Sequence, residues 1–303
     1  MEASLYGPGS GYDSLRSIFP MMMKTQRRLP ADYRGPIYIW DLDKTYLNTR
    51  FSQMRHLLRI PFELGIDKKA VRGTPELLHA LRDGADGSAQ NPIFFVSASP
   101  HQLSTSVERK MLLDGIQSDG IIFKDAAHLI SQGQFSQLRF QVAYKIAALI
   151  TLLHLFPAGV ELHLFGDDVE DDALIYALFA DLASGRLEGD RLHRTLKEVG
   201  VEEGYAQSIV RQASKLPKWE AVTGIYIRLT RKPDGSRIRE FSSRVVGWQT
   251  PVAVIRYLQE RQEISPRSYD AVVKASEWSE AVLGGASPDT HGYWTPPGKR
   301  LIE

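Results

Sequence analysis

The chain has 303 residues, 43% hydrophobic and 24% charged, with a formal net charge of +1; this is the make-up of a globular protein with enough apolar material for a real core. So small a net charge gives no bulk attraction for nucleic acid or an anionic membrane. There is no cysteine, which excludes disulfides, thiolate metal sites and a cysteine nucleophile, and suits a reducing compartment.

The first residues lack a basic stretch followed by a long apolar run, so a signal peptide is not expected and a cytoplasmic location is. Residues 1–35 show no sustained period and read as an N-terminal extension. Ile37-Tyr38-Ile39-Trp40, β-branched and aromatic, predicts a buried strand that stops at an acidic cluster. Phe51 to Leu64 has helical spacing interrupted by Pro61, and suggests a small helical cap. Thr74-Pro75-Glu76 predicts a helix start, with Thr74 as the cap and Pro75 in the first turn.

A Gly/Ala/Ser-rich loop leads to a second strand, Pro92 to Val96, followed by a helix through Val107 and Met111. A third strand is expected at Ile121 to Phe123. Gln141 to Phe156 predicts a long helix with Val142, Ile146, Leu149 and Leu153 on one face; its apolar run is too short to span a bilayer. Leu162 to Phe165 is the next strand, and a helix holding Leu174, Ile175 and Leu178 follows. Ser184 to Lys218, polar and broken by glycines, reads as an inserted helix pair able to cover the site and choose the substrate. A strand at Gly224 to Arg228 and two later helices complete the pattern. The expected organisation is a catalytic domain over 36–230 and a C-terminal helical extension with a Gly/Pro-rich tail over 231–303.

Alternating strands and helices imply an α/β fold, a Rossmann-like parallel sheet covered on both faces. Chemistry in such sheets gathers beyond the carboxyl ends of the strands. Four polar signals fall there: Asp41-Leu42-Asp43-Lys44-Thr45 after the first strand, Ser97 after the second with Ser99 close by, Gly166-Asp167-Asp168 after the fourth, and Lys145 in the long helix. Clustered carboxylates repel one another unless a cation sits among them, and Mg2+ favours carboxylates, retained waters and phosphate oxygens. A carboxylate can then attack phosphorus while lysine and hydroxyl groups hold the equatorial oxygens. Blander readings exist for each element: paired acids cap helices, a loop serine is commonplace, and the run of acids from Asp167 to Asp172 suits a helix start. Lys145 shares a face with Val142 and Ile146, which does not suit a solvated lysine. His101, His154 and His163 lack ligand spacing and read as structural.

The order DLDKT, a strand ending in Ser97, Lys145, then GDDVEDD resembles the four motifs of the haloacid-dehalogenase superfamily, over roughly Ile37 to Phe179. FFVSASPHQL, the helix ending in LFPAGVELHLFGDD, and the later IYIR are similar to the actin-patch phosphatidate phosphatases and their bacterial relatives. The resemblance implies a Mg2+-dependent phosphomonoester hydrolase. Asp41 would be nucleophile and metal ligand. Asp43 would be the acid and then the base, binding the metal through its carbonyl. Thr45, Ser97, Ser99 and Lys145 would face the phosphoryl oxygens. Asp167 would bind metal, and either Asp171 or Asp172 would complete the fourth motif, Asp172 being preferred because Tyr176 then falls where those relatives place a tyrosine. The expected partner is a phosphorylated small molecule or lipid headgroup, with no nucleic acid and no transmembrane segment. Two rival readings are an idle binding module, against which both intact acids count, and a two-metal nuclease, which sparse basic residues disfavour.

Overall fold

The computed structural model describes residues 15, 18–19, 21–47, 70–125, 137–230 and 244–281. The predicted cap at 51–64 and the Gly/Pro-rich tail lie outside the described residues. Seven strands form one sheet: β1 (Met21–Thr25), β2 (Pro36–Asp41), β3 (Ile93–Pro100), β4 (Gly120–Lys124), β5 (Glu161–Asp167), β6 (Val222–Arg228) and β7 (Val245–Trp248). Their spatial order is β1-β4-β3-β2-β5-β6-β7. All pairs are parallel except β1 with β4. The Rossmann-like α/β architecture is therefore present.

The described helices are α1 (Thr74–Asp83), α2 (Ser104–Leu113), α3 (Gln137–Leu155), α4 (Asp172–Ser184), α5 (Gly189–Glu198), α6 (Glu203–Ala213), α7 (Pro251–Glu260) and α8 (Pro266–Ala281). Both faces of the sheet are apolar, so the strands read as continuous hydrophobic runs, and the two-residue period sorts them. Ile37, Ile39, Phe94, Val96, Leu162, Leu164, Ile225 and Ile227 join the core beneath α3 to α6. Tyr38, Trp40, Phe95, Phe165 and Tyr226 join the core beneath α1, α2, α7 and α8. The second face carries an aromatic row: Trp40 stacks on Phe165 at 4.2 Å, and Phe165 on Tyr226 at 4.4 Å. These are neighbours in the strand register, so cross-strand stacking fixes the alignment that brings the strand ends level.

Several local details differ from the sequence reading. β1 lies within the predicted N-terminal extension, and Leu15 and Phe19 just before it are buried. β7 precedes the C-terminal helices; α7 packs against β7, and both α7 and α8 pack against α1. The cap of α1 is Gly73 in a left-handed conformation; Thr74 is the first helical residue, and its hydroxyl makes no capping bond. α3 begins at Gln137, before the predicted Gln141.

The Ser184 to Lys218 segment does hold a helix pair, and its chain ends explain its role in the fold. The Trp219 amide donates to Ala183 O, and its indole to Val160 O at the start of β5. Both ends are thus tied to the amino-terminal edge of the sheet, opposite the acid-bearing edge. Leu192, Leu196, Ala206, Ile209 and Ala213 enter the core shared with α3 and α4. The polar appearance of the segment is that of amphipathic helices, with one face solvated and one buried.

Candidate active site

Sheet order creates the site. From β2 the chain builds β3 and β4 on one side, then crosses back to place β5 on the other. The crevice at such a switch point opens beyond the strands' carboxyl ends. Asp41 is the last residue of β2 and Asp167 the last of β5. Alternation puts Asp41 on the face of Ile37 and Ile39, the face that α3 covers, so Lys145 meets it.

Lys145 Nζ lies 2.7 Å from Asp41 Oδ1, 2.5 Å from Asp172 Oδ1 and 3.1 Å from Glu170 Oε2. All four side chains are buried, Lys145 with 1% exposure. The lysine sits mid-helix in α3, not in the first turns as its sequence context suggests, and reaches the edge along the length of its stem. Asp172 is the first residue of α4. Its other oxygen accepts from the Asp167 amide at 3.1 Å. Asp171, just before, has a left-handed φ of 58°, and its charge adds to the upward push on the Asp172 carboxyl.

Asp172 reaches the strand because residue 166 is glycine. A Cβ built there would lie 2.4 Å from Asp172 Oδ2 and 2.6 Å from Asp172 Cβ. Tyr176, one turn on, donates to Phe165 O at 3.1 Å and ties the helix to the same strand.

Asp43 belongs to an adjoining cluster. Its Oδ2 accepts from Ser99 Oγ at 2.5 Å and from Ser97 Oγ at 3.3 Å, and the Ser97 hydroxyl in turn accepts from the Ser99 amide at 3.0 Å. A register shift between Ser97 and Pro100 bends β3 there and re-aims these side chains, as bulges do. Tyr144 of α3 donates to Ser97 O at 2.9 Å. Thr45 Oγ1 lies 3.5 Å from Asp41 Oδ2, at the limit of a hydrogen bond.

Burial pushes the Asp41 carboxyl well above its ordinary range; Lys145 opposes this, and Asp172, Glu170 and Asp167 add to it. Asp167 is pushed up to about 8, by burial first and then by Asp172 and Glu170, against Lys145 and the Val169 amide. Glu170 and Asp172 also move up, with burial the main cause. For Lys145, burial pulls down, but Asp172, Asp41 and Glu170 outweigh it and hold the ammonium well above its usual value. One ammonium does not balance these acids. One oxygen each from Asp41, Asp167 and Asp172 lies within 4.8 Å of the others. Asp167 Oδ2 is buried with no hydrogen-bond partner. An orphaned carboxylate oxygen in an all-oxygen cluster fits a hard divalent cation. Asp43 is not one of the three, so any part it takes in metal binding would fall to its backbone carbonyl.

Most of these residues are legible in the sequence; three contributions are not. Glu170 was visible only as one acid in a run, and here it contacts Lys145. Gly166 makes room for Asp172. Arg228 at the end of β6 approaches Asp167 and Asp168, and only the pairing of β5 with β6 brings it there. Among the described residues no helix is long and apolar enough to cross a membrane.

Residues 37–189, half of the chain, match the family model for the phosphatidate phosphatase APP1 catalytic domain. The match begins at β2 and runs past Asp172, so it spans the whole cluster. No curated protein and no solved structure matches.

Proposed function

The chain belongs to the phosphatidate phosphatase APP1 catalytic-domain family and is a phosphatase; from that membership we propose that it is a Mg2+-dependent phosphomonoester hydrolase working through an aspartyl-phosphate on Asp41. The substrate class we infer is a phosphatidate-like lipid or another organic phosphomonoester. The observation that carries the mechanism is the convergence of Asp41, Asp167 and Asp172 with an unpartnered, buried Asp167 oxygen. The four-motif order of the haloacid-dehalogenase superfamily supports the same roles.

In the proposed reaction an Asp41 carboxylate oxygen attacks phosphorus while the bond to the leaving oxygen breaks. Asp43 delivers a proton to that oxygen, and then takes one from the water that attacks phosphorus and releases Asp41. Lys145 orients Asp41 through the 2.7 Å contact. Ser97 and Ser99 hold Asp43 until the leaving group arrives. Asp41, Asp167 and Asp172 would hold Mg2+, which when bound neutralises phosphate charge and polarises phosphorus toward attack.

The test is a phosphomonoester panel containing phosphatidate and lysophosphatidate, with and without Mg2+, beside Asp41→Asn. We expect Mg2+-dependent phosphate release that Asp41→Asn abolishes together with acid-stable labelling of the protein by substrate phosphate. Near-wild-type turnover in that variant would overturn the nucleophile, and turnover undiminished by chelation would overturn the metal.

A further inference from the structure

Asp43 lies in a tight loop whose next residue, Lys44, holds a left-handed φ of 62°, a region that lysine seldom occupies. The loop closes on itself through Lys44 N to Leu47 O at 2.7 Å and Leu47 N to Leu42 O at 2.9 Å. Those bonds shape the turn but do not tie it to the strands beyond β2. Leu42 N donates to Val96 O of β3 at 3.3 Å, and from β6 the Arg228 guanidinium donates to Lys44 O at 2.5 Å. Arg228 stands opposite Asp167 in the β5–β6 register. Its own carbonyl accepts from the Asp168 amide at 3.0 Å, and Asp168 Oδ1 accepts from Thr230 N at 2.8 Å and from Thr230 Oγ1 at 2.7 Å. The end of β6 is thus bonded to both acid-bearing loops, and it lies outside the segment that matches the family model.

We propose that Arg228 is a positioning residue which, through the Lys44 carbonyl, sets where the Asp43 carboxyl stands and so governs proton delivery to the leaving group. The proposal rests on the reading of Asp43 as acid and base. Asp43 is held from two directions: Ser99 grips its carboxylate from β3, and Arg228 fixes the backbone that carries it. Misplacing the donor by about 1 Å can cost proton transfer on the order of 100-fold, whereas Asp41, held by Lys145 at 2.7 Å, should be less sensitive to the position of that loop. A lysine at 228 would keep the charge but lose the planar fork that addresses a carbonyl while facing two carboxylates.

The test measures kcat/KM, which reports through phosphoryl transfer to Asp41, over aryl phosphates of graded leaving-group acidity for wild type, Arg228→Met, Arg228→Lys, Asp43→Asn and Arg228→Met/Asp43→Asn. Arg228→Met should lose roughly 10- to 100-fold on phenyl phosphate but less than about 3-fold on 2,4-dinitrophenyl phosphate, which needs little acid help. Arg228→Lys should fall between, and removing Arg228 from the Asp43→Asn protein should cost less than about 3-fold more. An equal loss at every leaving group, or an undiminished loss in the Asp43→Asn background, would overturn the assignment. Should Arg228→Met not fold, the same comparison is made with Arg228→Lys, and a uniform loss there overturns it as well. If Asp43→Asn itself shows no leaving-group dependence, the acid role fails and the proposal with it. If Asp43→Asn shows that dependence and the Arg228 variants do not, only the positioning role falls.

Discussion

Lys145 and Asp172, 27 residues apart in sequence, meet at 2.5 Å in an ion pair with essentially no exposure to solvent. The same ammonium contacts Asp41 and Glu170, so it is the local countercharge for several acids. Removing one partner from a buried charge group typically costs about 3–5 kcal/mol, because the others are left uncompensated. Lys145→Ala should therefore weaken phosphate binding and lower stability as well. The loss of stability should be larger at pH 8 than at pH 6, since the raised carboxyl groups can neutralise themselves by protonation at the lower pH. Urea unfolding of Lys145→Ala at the two pH values checks this, and a variant as stable as wild type at pH 8 would contradict it.

Gly166→Ala should be the most damaging single methyl group in the crevice. The added Cβ would sit within 2.8 Å of Asp172 Oδ2, Cβ and Cγ, so α4 or the Asp172 side chain must move. Overpacking of this kind costs roughly 1–3 kcal/mol in stability. The functional loss should exceed that, because a displaced Asp172 leaves both Lys145 and the cluster of Asp41, Asp167 and Asp172 incomplete. We expect Mg2+-induced stabilisation to vanish in this variant while its circular dichroism spectrum is unchanged. Retention of a normal Mg2+ response would mean that the close approach is not needed.

The alternation of strands and helices was legible because each core strand is a short apolar run ending at a polar residue, and a sheet buried on both faces demands that pattern. β1 was not, since Met-Met-Met-Lys-Thr is poor in β-branched residues and pairs at an edge. β7 was too short, with Gly247 within it. Asp41, Asp43 and Lys145 could be singled out because charged residues beside apolar runs conflict with simple burial. The choice between Asp171 and Asp172 turns on where α4 begins, and local spacing does not settle one residue. Arg228 closes the IYIR segment, but its partnership with Lys44 spans 184 positions and exists only after β5 and β6 pair, so that segment alone does not reveal it.

The metal-free protein should become less stable as pH rises from about 6.5 to 8. Asp167 has its folded-state pKa raised from 3.8 to about 8. In that window the folded state therefore holds a proton that the unfolded chain has lost, and stability falls as that proton leaves. Mg2+ bound at the cluster would displace the same proton, so below pH 8 its apparent affinity should tighten by up to about tenfold per pH unit. Isothermal titration in buffers of different ionisation enthalpy measures both the affinity and the protons released. An affinity flat between pH 6.5 and 7.5, with no proton released, would show that the cluster is already ionised without metal.

His163 supplies a pH dependence of opposite sign, away from the acid cluster. It is buried in β5 between Tyr38 and Tyr226, with its ring nitrogens 3.2 Å from Tyr226 Oη and 3.2 Å from Thr223 Oγ1. Burial, with Arg261 adding to it, pulls its pKa down to about 4. Glu263 Oε2 lies 3.8 Å from Nδ1, but burial moves that carboxyl toward its neutral form, which limits it as a countercharge. Below pH 6.5 the unfolded chain takes up a proton that the folded histidine refuses, so stability is lost as pH falls from 6.5 toward 4. By pH 5 the loss should be about 2 kcal/mol. His163→Gln keeps a donor and an acceptor for the two hydroxyl groups and removes the titration. The difference in unfolding free energy between wild type and this variant, measured with a chelator present, should shrink by about that amount between pH 7.5 and 5. Because the acid cluster is common to both proteins, it cancels in that difference, and two parallel stability curves would show that His163 does not resist protonation.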